Sequence, residues 1–185
     1  MRRNMQASGS VRGPAAVLPI TAIVAFSFAT NPVNSEVRMN ASDLIAGIRN
    51  SHELDTVDNI SILIVPKGVL FRTSVDPATL QNVSCIYRAP KSLAHETLSL
   101  LEHSIKNSKT PANTHLDLRL GVVFRDAENN VLREFFFQDW GGKHDVEGIS
   151  REYWILASAD TPNRFRDFVI KNRVDLIAKP YSKCP

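Results

Sequence analysis

HLDLRLGVVFRDAENNVLREFFFQ, residues 115–138, decides the fold class. Leu116, Leu118, Leu120, Val122 and Phe124 alternate with His115, Asp117, Arg119 and Arg125, the period of two expected of a strand with one buried face. DAENN then supplies turn residues before VLREFFFQ, so the stretch is expected to form a long antiparallel hairpin with one face on the core.

Upstream, NISILIVPKGVLFRTSV (59–75) suggests two strands joined by a tight turn. Pro66 pre-sets φ at the second turn position and Gly68 suits the fourth. ISILIV is apolar on both faces, which places it centrally in a sheet covered on both sides. NVSCIYRA (82–89) is a third strand by its Val, Ile and Tyr content, and EYWILAS (152–158) a further one.

Helical periodicity is clearest in SLAHETLSLLEHSIKN (92–107), where Ala94, Leu98, Leu101 and Ile105 recur at three- and four-residue steps. TPNRFRDFVIKNR (161–173) turns Phe165, Phe168 and Val169 inward, with Thr161 as cap and Pro162 at the first helical position. DLIAGIRN (43–50) is a possible short N-terminal helix. Hairpins followed by helices describe an α+β single domain: a mainly antiparallel sheet with two main helices packed on one face.

The chain opens with Arg2, Arg3 and Arg12 and no acid, then PAAVLPITAIVAFSFA (14–29). Charged-then-apolar order is that of a secretory signal peptide. Pro19 and Thr21 interrupt the apolar run, which is shorter than the ~20 residues of a spanning helix. Ser27 and Ala29 set a cleavage point after Ala29. The expected organisation is a signal peptide at 1–29, a flexible lead-in at 30–41, and one α+β domain at 42–185. A retained anchor and a mitochondrial presequence are the rival readings of the leader.

The whole chain has 22 Lys and Arg against 19 Asp and Glu, but the leader holds three of the arginines. Beyond residue 29 the charges balance, which removes the electrostatic footprint of a nucleic-acid binder. No nucleic-acid partner, no membrane contact beyond the leader and no cofactor are therefore expected. Two cysteines, Cys85 and Cys184, suggest one disulfide in an oxidising compartment. They do not form the CxxC pair of a redox motif.

None of the familiar nucleophile, zinc, phosphate-loop or dinucleotide motifs occurs beyond the leader. Chemistry concentrates in DWGGKHDVEGI (139–149). His144 could act as a base with Asp139 or Asp145, because a carboxylate-held neutral imidazole accepts a proton near neutral pH. The spacing selects no metal. As a binding loop the same segment offers Trp140 as an anchor, with Lys143 and His144 setting specificity.

Elsewhere the polar positions have plainer readings. His95, Ser99, Glu102 and Lys106 fall on the outer face of the 92–107 helix as i,i+4 pairs. Asn40, Asn59 and Asn82 match a glycosylation acceptor pattern that operates only where the pathway exists. Basic residues of the last helix, Arg164 and Arg166 among them, are its wet side. The expectation is a periplasmic or secreted protein-binding module of inhibitor, immunity or accessory-subunit type, whose partner is another protein. A small exported hydrolase is the alternative.

Overall fold

Residue alternation becomes one eight-stranded antiparallel sheet in the computed structural model, which describes residues 41–50, 52–109, 116–139, 143–151 and 153–185. The expected leader, residues 30–40 of the lead-in, His115 and Trp140 lie outside the described residues, and Ala41, the last residue of the expected lead-in, opens a helix. In chain order the elements are α1 (Ala41–Asn50), α2 (Glu53–Thr56), β1 (Asn59–Ile64), α3 (Pro77–Val83), β2 (Cys85–Pro90), α4 (Ala94–Ser104), β3 (Ile105–Lys109) and β4 (Leu118–Arg125). There follow β5 (Val131–Gln138), β6 (Val146–Ser150), β7 (Tyr153–Ala157), α5 (Thr161–Lys171) and β8 (Asp175–Ala178). Strands lie side by side as β3-β7-β6-β5-β4-β1-β2-β8. The mixed α+β architecture and the central position of ISILIV are as the sequence implies: β1 pairs with β2 on one edge and β4 on the other.

That double pairing overturns one expectation. VLFRTSV (69–75) is not a strand, because neither edge of β1 is left for it. The chain turns at Pro66–Val69, with Gly68 at φ 83°, and crosses to α3. Helix α3 starts on the Asp76 side chain, which accepts from the Thr79 amide at 2.7 Å, with Pro77 in its first turn. That bond holds the Asp76 carboxyl below its usual range.

The helix expected over 92–107 stops at Ser104, so Ile105 and Lys106 belong to β3. Strand β3 pairs with β7, and this long-range pairing outweighs the local helical period. VEGIS, assigned to a loop, is β6, and the C-terminal DLIA forms β8 against β2. At α5 the cap is Asp160 rather than Thr161, whose hydroxyl is buried and donates to the Ser158 carbonyl.

The hairpin itself departs from a single buried face. In the β4–β5 ladder Leu118 lies opposite Gln138 but Leu120 opposite Phe137, so Arg119 is an extra residue, a β-bulge. One extra residue exchanges the faces. Leu116 and Leu118 consequently enter a core with Leu63, Leu80, Val123, Phe136 and Trp154. Leu120, Val122 and Phe124 enter the opposite core. The three consecutive phenylalanines divide likewise, Phe136 to the first of these and Phe135 and Phe137 to the second. The second core also receives Ile45 and Ile48 of α1, Leu98 and Leu101 of α4, and Phe165, Phe168 and Val169 of α5.

Cys85 and Cys184 form the expected disulfide, 99 residues apart. By the chain-entropy argument a loop of that size stabilises the fold by ~4 to 5 kcal/mol. Beside it, the Tyr87 hydroxyl donates to a Pro185 oxygen, fastening the last residues to β2.

Close packing between β5 and β6 makes a sharp prediction. A Cβ at Gly148 would collide with the Phe136 carbonyl and the Phe137 ring, whereas one at Gly47 in α1 would meet nothing within 4 Å. Gly148→Ala is expected to lower unfolding free energy by about 2–3 kcal/mol. Gly47→Ala should raise it by about 0.5–1 kcal/mol. The urea midpoints of the two variants, measured against the parent, check both signs.

Candidate functional site at one end of the sheet

The end of β1, the start of β4, the end of β5 and the start of β6 meet at one end of the sheet. There residues 66–71, Asp139 and residues 143–145 lie beyond the strand ends, in the region where the sequence suggests reactivity. A groove of about 430 Å³ opens here, lined by Pro66, Lys67, Leu70, Asp117, Arg119 and Asp139 among others.

Charges at this end are matched in pairs. Asp139, a candidate partner for His144, instead accepts from Arg166 of α5 at 2.5 Å. Both side chains are about nine-tenths buried, 10% and 11% exposed. Arg166 also donates to Asn163 at 3.0 Å, and its Nε has no partner. This corrects the assignment of Arg166 to the wet side of its helix: the buried Asp139 draws it inward. Asp145, the other candidate carboxylate, accepts from Lys106 of β3 through both oxygens, at 2.7 and 2.8 Å. Lys106 therefore acts across the sheet rather than along α4, and Glu102 is bound by Arg49 of α1.

Arg119, the bulged residue, makes the third pair. Its Nε and one terminal nitrogen donate to Asp117 Oδ2, at 3.2 and 2.5 Å, while the other donates to the Val69 carbonyl at 2.8 Å. The guanidinium lies 4.5 Å from the centre of the Phe71 ring, within cation–π range. One side chain thus grips residues 69 and 71. Between them Leu70 is 89% exposed. A leucine at such exposure is ordinary on a loose loop, but here both neighbours are fixed.

Of the residues assigned to function, Lys143 and His144 are exposed and Asp145 is half-buried. Of the two carboxylates proposed for His144, Asp139 is paired with Arg166 and Asp145 with Lys106. VEGIS belongs to β6, which leaves Asp139 and residues 143–145 as the described part of the expected loop outside a strand. On α4, the His103 ring lies 2.6 Å from the Ser99 carbonyl and 3.4 Å from its hydroxyl. Asn59 donates to Asp58, with its carbonyl oxygen buried, while Asn82 is exposed on α3. Among the described residues no three His, Cys, Asp or Glu side chains converge as a metal site, and no helix is long and apolar enough to cross a membrane.

Sequence reasoning missed Leu70 because VLFRTSV looked like a strand, in which Leu70 would be paired. The signal lay in Val65-Pro66-Lys67-Gly68: a turn after a strand already needed on both edges leads out of the sheet. No known family model, curated protein or solved structure matches the chain.

The buried pair gives the test of this geometry. Arg166→Met leaves Asp139 buried without its cation and is expected to cost about 3–5 kcal/mol of stability. Adding Asp139→Leu should recover most of that loss, since the uncompensated charge is then gone. Guanidinium unfolding of the single and double variants measures it.

Proposed function

We propose that the chain is an exported protein-binding module of inhibitor, immunity or accessory-subunit type, meeting its partner with the 66–71 and 139–145 segments. The observation that carries this reading is Leu70, held out between two residues that Arg119 fixes. A pre-positioned apolar side chain loses little conformational freedom on binding, so more of its burial energy becomes affinity. Transfer of a leucine from water into a protein pocket is worth ~1.5–3 kcal/mol.

Electrostatics supports the same reading. Asp117, Asp139 and Asp145 are each matched to an internal cation, which leaves the exposed Lys67, Lys143 and His144 to set orientation and on-rate rather than to supply bulk affinity. Trp140 adds a second anchor, an aromatic one, on sequence grounds. Export, to the periplasm or outside the cell, is supported by the charged-then-apolar leader and by a disulfide of the kind that oxidising compartments maintain.

Affinity capture tests the proposal. Oxidised protein is used to retain components of the source cell's envelope and secreted fractions, beside Leu70→Ser and Trp140→Ala controls. A stoichiometric partner protein is expected, with its dissociation constant raised roughly tenfold to a hundredfold by Leu70→Ser. Retention of the same partner at unchanged affinity by both variants would move the contact away from this end of the sheet.

A further inference from the structure

Charge beyond residue 29 balances only as a sum over the chain, and the C-terminal edge of the sheet departs from it. Residues 170–183 carry Lys171, Arg173, Lys179 and Lys183 against one acid, Asp175. Opposite Asp175 in the β2–β8 ladder stands another cation, Arg88. Arg88, Arg173, Lys179 and Lys183 are all exposed and form no ion pair among the described residues. Of the five large apolar side chains exposed among the described residues, Ile170, Leu176 and Ile177 fall in this same stretch. Apolar surface and positive charge therefore coincide.

The stretch is fixed at both ends. The amides of Arg173 and Val174 donate to the carbonyls of Ile170 and Val169, at 3.2 and 2.9 Å, turning α5 tightly into β8. Val174 is buried, so Ile170 and Leu176 are left in water on either side of an anchored residue. Beyond β8 the Cys85–Cys184 disulfide and the Tyr87–Pro185 bond tie the tail back to β2, which keeps Lys179 and Lys183 at this edge.

As a template for another chain's strand this edge is poor, being four residues long with Ile177 as an extra residue in its ladder. An anionic bilayer asks for no register, only for apolar side chains that reach the acyl boundary and cations that meet lipid phosphates. We propose that the β8 edge is a peripheral docking surface for anionic phospholipid. Ile170, Leu176 and Ile177 enter the interface, while Arg173, Lys179 and Lys183 face the headgroups and Arg88 offsets Asp175. None of these residues belongs to the Leu70 surface, so this docking does not depend on a protein bound there.

Vesicle co-sedimentation of the oxidised protein isolated from the cell is the test, with phosphatidylcholine vesicles holding either no phosphatidylglycerol or about 30% of it. Binding is expected to the anionic vesicles alone, and to fall roughly tenfold as salt rises from about 0.1 to 0.5 M and the Debye length shrinks. Lys179→Gln and Lys183→Gln should each weaken it roughly fivefold. Ile177→Ser should weaken it about threefold to tenfold with the salt dependence kept. Val131→Ser, on a comparably exposed side chain of β5, should change nothing, and all four variants should keep the parent's circular dichroism. Failure to bind the anionic vesicles at low salt overturns the proposal. So does binding that is equal on both vesicles and indifferent to the lysines, which a retained apolar leader would give. A chain that ignores vesicles but is held by an acidic protein through Lys179 and Lys183 overturns it too, putting that protein in place of the lipid.

Discussion

Arg119 is the residue on which two levels of the structure turn. As the extra residue in β4 it shifts the strand by one, sending Leu116 and Leu118 to one core and Leu120, Val122 and Phe124 to the other. Without that shift five alternating apolar residues would share a face. Gly121 fits the same scheme, since the space a Cβ would occupy is filled by the Phe136 ring and by Leu80 of α3, 3.0 and 3.2 Å away. The guanidinium of the bulged residue, released from strict alternation, then reaches the 66–71 segment. Bulges commonly re-aim a side chain in this way.

Local signals explain how much of this was legible in the sequence. β1, β4, β5 and β7 were visible because runs of β-branched and aromatic residues declare strands without help from neighbours. β3, with Lys106, Asn107 and Ser108, declares nothing; it is a strand because β7 offers an edge. VEGIS and DLIA are too short for a period to emerge, and Gly148 in the first weakens its strand signal. The single disulfide was legible because two cysteines allow one intramolecular pairing. Burial of Arg166 was not, because it depends on a carboxylate 27 positions earlier in the chain. The exposure of Leu70 depends on β2 and β4 having taken both edges of β1, a fact of topology rather than of residue pattern.

The physical character of the candidate site follows from the same pairings. Catalytic carboxylates are effective when environment and spacing leave them a proton to move. Here Asp139 is paired with Arg166 and Asp145 with Lys106, so each of the two carboxylates is held in place by a cation from another element. Bracing of that kind fixes the positions of the described residues at this end of the sheet. The disulfide acts in the same direction at the neighbouring strand, where Cys85 opens β2 opposite Ile64, the last residue of β1.

The two edges of the sheet are themselves guarded against pairing with another chain. An open strand edge invites pairing with another chain unless it is short, bulged or charged. β8 is four residues long, with Ile177 as an extra residue against β2 and with Asp175 and Lys179 on either side. β3 is bulged at Lys106, whose ammonium is held by Asp145. Leu176 and Ile177 do expose apolar surface, at 40% and 48%, but on a strand whose ladder is already irregular. Leu70 differs in that Arg119 holds the residues on both sides of it, so its exposure comes from a clamped segment rather than from an irregular ladder.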